Sequence, residues 1–410
     1  MRLKFAINFS PSTNTRRFAP DMPVTFAPME AIHDGMGGLD ISRTAPIADL
    51  KAGSYNVFSE GDVLLAKVTP CFENGKKCLA HDLTGGIGFA TSEVHVIRPN
   101  QGKISPQFLM YLLSSEQFKA EGIISMTGSG GLKRVSAEAV LNHRIVVDDV
   151  SEQSAIADYL DRETGQIDGL IEKKSSFAAL LKEKCLAFSD AAVTGSSAKE
   201  LRDSGIPWAS RIPAHWTVKK AKYLFREMAR PVGEDDEIIT AFRDGQVCLR
   251  RKRRAEGYTF AVKELGYQHI KQGDLVIHTM DAFAGAIGVS EDDGKATGEY
   301  AVCEPRSSDV SPEYYALLLR CMARRNYIYV LCPSVRERAP RFRFVRFAPV
   351  RLPVPPIDEQ IQIVEEVGKA KETFDKSIEM TERSIALLKE KRAALITAAV
   401  TGKIDVRAAA

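Results

Sequence analysis

The sequence predicts a mixed α/β chain: two α/β modules separated by two long antiparallel, coiled-coil-like helices in a pseudo-two-fold repeat. Three observations predict it. Residues 152–195 recur at 359–402, offset by 207, with 18 of 44 positions identical when the copies are aligned without a gap. Both copies lack proline and are dominated by Ala, Leu, Glu and Lys, a helix-forming composition. Each copy follows about 150 residues of short β-branched runs, the size of one domain.

The first module is read as residues 1–150. Strands are expected at 63–68, 94–97 and 145–147, where β-branched and apolar residues cluster, and a helix at 106–114. Ser105-Pro106 opens that helix, serine as cap and proline in the first turn. Residues 151–194 form the first long helix. Its apolar residues Ile156, Leu160, Ile167, Leu170, Ile171, Phe177, Leu181 and Phe188 recur mainly in steps of three, four and their sums, as in a coiled-coil stripe. Residues 195–215 are polar, Gly/Pro-bearing and aperiodic, hence a linker.

The second module, 216–355, carries expected strands at 274–278 and 350–354 and a Ser311-Pro312 helix at 312–320. Residues 356–402 form the second long helix, striped by Ile363, Val367, Phe374, Ile378, Ile385, Leu388 and Leu395, and 403–410 a tail. The modules themselves also correspond. Gly61-Asp62 parallels Gly273-Asp274, Ala90-Thr91-Ser92-Glu93 parallels Ala296-Thr297-Gly298-Glu299, and Leu132-Lys133-Arg134 parallels Pro340-Arg341. A helix about 60 Å long with one apolar stripe needs a partner, and the other copy is the economical one.

Composition excludes several classes. No run of eighteen apolar residues exists to span a membrane, and the N-terminus lacks a signal-peptide core, so a cytoplasmic location is expected. Seven cysteines form no C-x-x-C pair, and no His/Cys spacing suits a metal, so no metal site is expected. Walker and G-x-G-x-x-G motifs, an Asn-Pro-Pro-Tyr-like motif and a paired acidic nuclease cluster are all missing, so no catalytic residue is assigned. The net charge of +3 hides local basic clusters.

Two modules on paired helices suit duplex DNA, whose half-sites one turn apart lie near 34 Å. Basic clusters supply phosphate affinity, and a few polar or cationic side chains reach base edges. The candidates in the first module are Lys67, Thr69, Asn74, Lys76, Lys77, Lys133 and Arg134. In the second they are Arg243, Arg250, Arg251, Lys252, Arg253, Arg254, Tyr258, Arg336, Arg338, Arg341 and Arg343. The loop Gly128-Ser129-Gly130-Gly131 is read as a turn or a backbone cradle for a DNA phosphate.

Three pieces resemble the specificity subunit of type I restriction-modification systems. Residues 203–208 (DSGIPW) with 212–216 (IPAHW) and 222–225 (KYLF) resemble the opening of a target-recognition domain. Residues 353–360 (PVPPIDEQ) resemble the entry into a spacer helix, and 387–392 (LLKEKR) through 398–403 (AAVTGK) its end. The resemblance implies two target-recognition domains joined by antiparallel helices and reading a bipartite, asymmetric target in double-stranded DNA. Partners would be two methyltransferase subunits and, in some assemblies, restriction subunits. S-adenosylmethionine, ATP and Mg²⁺ are then expected on those partners, with no cofactor on this chain. The first module departs from the pattern: it lacks the Ile-Pro-x-His-Trp lead-in, and 146–151 lacks prolines. The alternatives are a methyltransferase or nuclease with an unrecognised site, and a coiled-coil scaffold for proteins.

Overall fold

The computed structural model describes residues 1–36, 38–128, 131–253, 266–332 and 341–406. They fall into two units, 1–176 with 381–410 and 177–380, so the unit boundary cuts both long helices.

In the first unit, β1 (Ile7–Phe9), β2 (Pro23–Ala27), β3 (Thr44–Pro46), β4 (Tyr55–Ser59), β5 (Val63–Ala66), β6 (Lys77–Leu79), β7 (Ile87–Thr91) and β8 (Val94–Pro99) build two sheets. One runs β1-β8-β5-β6, antiparallel throughout; the other runs β3-β2-β7-β4, with β2 and β7 parallel. Strand β5 is buried along its whole length, which explains its uninterrupted apolar run. Helices α1 (Ile47–Lys51), α2 (Pro106–Leu112), α3 (Glu116–Ile124) and α4 (Ala137–Asn142) complete the module. The last three are each capped by a serine hydroxyl, of Ser105, Ser115 and Ser136.

The second unit holds β9 (Leu201–Asp203), β10 (Arg211–Pro213), β11 (Thr217–Lys220), β12 (Phe225–Met228), β13 (Ile239–Ala241), β14 (Val247–Leu249), β15 (Gln268–Ile270), β16 (Leu275–His278), β17 (Ile287–Val289), β18 (Gly294–Ala296), β19 (Tyr300–Pro305) and β20 (Arg351–Val354). Its main sheet, β12-β19-β16-β17, repeats the antiparallel order of β1-β8-β5-β6. Even the crossed pairing recurs: Leu64 faces Val96, and Val276 faces Val302. The smaller sheets correspond too, since Ile238 forms a parallel bridge to Lys295 where β2 runs parallel to β7.

The two long helices are α5 (Val150–Thr194, 45 residues) and, after the second unit's shorter helices α6 (Pro312–Arg324), α7 (Tyr327–Leu331) and α8 (Phe344–Phe347), α9 (Ile357–Val400, 44 residues). Asp149 starts α5 by accepting the Ser151 N–H at 2.7 Å. Both helices end alike. Gly195 and Gly402 adopt φ of +64° and +68°; their N–H groups and those of Ser196 and Lys403 turn back to the last carbonyls. This is a Schellman stop, and it explains why the repeat closes on Thr-Gly.

Within the first unit the helices run antiparallel: Ile156, Ala157 and Leu160 share a core with Ile396, Ala399 and Val400, and Arg392 reaches Asp168 at 2.8 Å. Within the second, Val193 shares a core with Ile363 and Val364. Leu170, Phe177 and Phe188, expected in the buried stripe, are exposed. One partner helix covers one face, and these side chains lie off it.

Two further expectations are corrected. Residues 145–147 form no strand: Ile145 N–H meets the Met1 carbonyl and Leu3 N–H meets His143, leaving only an Arg2–Arg144 bridge. The corresponding β20 gains a ladder because β11 lies beside it. The expected linker is structured: β9 pairs with β10, and Ile206, Trp208 and Ala209 enter the second core. Among the described residues no helix is long and apolar enough to cross a membrane.

A buried glutamine joins each long helix to its module. Gln153 Oε1 accepts the N–H of the cap residue Ser105 at 2.9 Å, and its Nε2 donates to Val147 O at 2.9 Å. Gln360 does the same for Ser311, at 2.9 Å, and donates to Pro355 and Asp309 carbonyls at 2.9 and 3.0 Å. Both are 0% exposed. Gln360→Ala strands one N–H and two carbonyls and is expected to cost about 3 kcal/mol in urea unfolding. A loss below about 1 kcal/mol would mean that the amide does not pin the helix.

Candidate nucleic-acid interface

In the first unit the chain after β5 meets residues 133–135. Thr69 donates its N–H and its hydroxyl to Lys133 O at 2.9 and 3.1 Å, and Val135 N–H meets Lys67 O at 2.8 Å. This brings Lys67, Thr69, Lys133 and Arg134 together. Arg134 is clamped by Glu93, Nε to Oε2 at 2.9 Å and Nη2 to Oε1 at 2.8 Å. The hydrogen bond to Arg134 holds the Glu93 carboxyl below its ordinary range. Behind the segment, His95 lies buried with Nε2 3.2 Å from Val135 O, and burial lowers its pKa to about 4, so it stays neutral. Ser129 and Gly130 of the glycine loop lie outside the described residues.

The turn before β6 separates its three candidates. Asn74 is exposed. Lys76 is turned inward, donating to Met29 and Ile32 carbonyls at 3.3 and 2.9 Å. Lys77 is corrected outright: at 2% exposed it lies in the interior, beside α2, and presents nothing to a polyanion. Burial lowers its pKa to about 8, with Arg392 and Lys119 pushing the same way.

In the second unit, residues 250–252 form a 3-10 turn directly after β14 and present the basic run. Every described cation of the run has a partner. Arg250 Nε donates to Thr240 Oγ1 at 3.1 Å, and Arg251 meets Glu237 at 2.7 Å. Lys252 meets Asp292 at 2.6 Å, and Asp292 also accepts the Leu249 N–H at 3.0 Å. Arg253 pairs with Asp244 at 2.8 Å and lies 4.2 Å from the Phe242 ring centroid. A second group forms where Arg243 meets Asp281 at 2.9 Å and Arg341 meets Glu299 at 3.1 Å, with Arg343 4.0 Å from the same carboxylate. Arg254, Tyr258, Arg336 and Arg338 lie outside the described residues.

A search for basic clusters alone overlooks the acids, Glu93, Glu237, Asp244, Asp281, Asp292 and Glu299. The repeat of Ala-Thr-x-Glu was the one signal pointing at two of them. Chemically, the faces offer oriented guanidinium and ammonium donors whose charge is balanced in the free chain. Among the described residues no group of three or more His, Cys, Asp or Glu is placed to hold a metal.

Lys77→Met is expected to stabilise the chain by roughly 1–3 kcal/mol at pH 7, because the depressed pKa means that the ammonium costs folding energy that sets in as pH falls below the ordinary lysine value of 10.5 and is complete below about 8. Urea unfolding reads this out; destabilisation would show that the ammonium is held by contacts outweighing its desolvation.

No family model matches the chain. Over 136 residues, 33% of its length, the chain is 35% identical to the type I restriction enzyme EcoEI specificity subunit of Escherichia coli and 36% identical to the EcoAI specificity subunit of the same organism. The match takes in 23% of each relative's length. Among solved structures, one described as the structural basis of complex assembly and conformational transition of the type I R-M system superposes at a TM-score of 0.69, with 16% identity, over 98% of this chain and 97% of that one. The HsdS subunit from Thermoanaerobacter tengcongensis superposes at 0.58, with 17% identity, over 98% and 96%. These likenesses establish the fold.

Proposed function

From a chain that has the fold of a type I specificity subunit and resembles two such subunits over a third of its length, we propose that it is the DNA-recognition subunit of a type I restriction-modification complex. It reads a bipartite, asymmetric target in double-stranded DNA, one half-site per module. It positions two methyltransferase subunits and, where restriction accompanies modification, restriction subunits. The chemistry, with S-adenosylmethionine, ATP and Mg²⁺, belongs to those partners, and this chain contributes recognition.

One observation carries the reading: two modules with the same strand order present different cations, and each is tied by a buried glutamine to one of two matched helices. Equal scaffolds with unlike surfaces suit a target whose halves differ. The helices, roughly 66 Å long at 1.5 Å per residue, exceed the ~34 Å between half-sites one turn apart. Phe177, Leu180, Leu186 and Phe188 leave apolar surface exposed on the second unit's stretch of α5, which suits a protein partner.

Neutralising Arg251, Lys252 and Arg253 together is expected to weaken duplex binding by the assembled complex and to flatten its salt dependence by up to about three phosphate contacts. An unchanged slope in a salt titration would remove that turn from the interface. Inserting four residues between Ser175 and Ser176 lengthens α5 by about 6 Å. It is expected to alter the tolerated gap between half-sites or to abolish assembly. An intact complex that methylates sites with the original gap would refute the helices as a spacer.

A further inference from the structure

Glu93 and Glu299 occupy the same station in the two modules. Each ends an Ala-Thr-x-Glu turn that leads into β8 or β19, and the glutamate N–H donates to the threonine hydroxyl two residues earlier at 3.3 Å in both. Its carbonyl accepts the N–H of Lys67 at 3.0 Å or of Thr279 at 2.8 Å. The carbonyls of those residues in turn accept the N–H of Val135 at 2.8 Å or of Phe342 at 2.9 Å. That backbone ladder places the residue before, Arg134 or Arg341, against the carboxylate. Arg134 is held through Nε and Nη2, and Arg341 through Nη1 at 3.1 Å. Thr279 Oγ1 steadies Glu299 from the other side at 3.1 Å.

The paired side chains are 46% and 31% exposed in the first module and 44% and 31% in the second. Ion pairs this wet add little to stability, so stability does not account for the same pair at the same station in two otherwise unlike surfaces. What the pairing supplies is orientation. A guanidinium gripped through Nε and Nη2, as Arg134 is, is fixed in plane and keeps its remaining N–H donors in a fork, the geometry that matches the N7 and O6 acceptors of guanine; Arg341 is tethered to its carboxylate through one nitrogen. The same fork can also grip a phosphate, which carries no sequence information, so loss of discrimination at one base rather than of the salt slope is what marks a base reader.

We propose that Glu93 and Glu299 are positioning residues that preset Arg134 and Arg341 to read a guanine edge, one in each half-site. The inference rests on the DNA-recognition reading above. Arg134 and Arg341 then specify sequence, while the cations of the 250–253 turn supply affinity.

The test uses the full chain assembled with its methyltransferase subunits. Methylated genomic DNA is sequenced to define the motif, and duplexes carrying that motif, or a replacement at each position, are titrated by fluorescence anisotropy. The wild type should methylate a two-part motif with a guanine in each part. Arg134→Lys and Glu93→Gln should relax the same guanine in one part, lowering discrimination by about fivefold or more. The other part and the salt slope should stay unchanged. Arg341→Lys and Glu299→Gln should act likewise on the other part. Wild-type thermal unfolding midpoints in the glutamine variants separate positioning from lost folding.

Glutamine variants that fold and keep full discrimination at every base overturn the proposal, as do lysine variants that weaken all duplexes equally. Should either glutamate variant misfold, the result in the other module decides. A wild-type complex that methylates no two-part motif overturns the DNA-recognition reading itself, whereas a two-part motif unmoved by the variants overturns the positioning role alone.

Discussion

The amide of one buried glutamine at the head of each long helix carries more of this architecture than its size suggests. Gln153 and Gln360 each bind the cap residue of a module helix with their carbonyl oxygen and the chain entering their own helix with their amino group. A side chain with one acceptor and one donor group is thus used on both sides of a buried junction where three chain segments meet. An unpaired amide there would be costly, so the junction is specified rather than merely tolerated. The origin of each helix is thereby fixed on its own module. The Schellman stops at Gly195 and Gly402 fix where each helix ends.

The electrostatics of the two faces are more restrained than a count of arginines implies. Each described cation of the 250–253 turn has a hydrogen-bond or ion-pair partner within the module, and the pairs holding Lys252 and Arg134 raise the pKa of those cations. Such pairs are exposed, screened and wet, so each contributes little to stability. Local pairing still leaves donors oriented for a partner that fits. This agrees with a net charge of only +3 on a chain with 56 basic residues.

Departures from the sequence-based expectations share one cause. For Lys77, Leu170, Phe177 and residues 145–147 the expectation rests on side-chain type or local pattern alone. Lys77 is interior because its strand, β6, is covered by α2, and a long aliphatic stem tolerates that position. Phe177 is exposed because a single helix partner covers one face. Residues 145–147 have strand-forming side chains but no neighbouring strand to pair with. In each case the deciding contact comes from a segment distant in the chain.

The sequence by itself determined the two long helices, nearly to their ends, because composition, periodicity and the terminal Thr-Gly are local signals duplicated at a constant offset. It also determined the serine-capped helices at 106 and 312 and the strands β5, β8, β16 and β20, since capping and apolar runs are short-range physics. Tertiary contacts alone set which cations meet solvent, bring acids 9 to 44 residues away to hold most of the described ones, and fold the segment 195–215 into a core. Those facts depend on which chain segments are brought together, and charge pairing across such distances leaves no periodic trace in the order of residues.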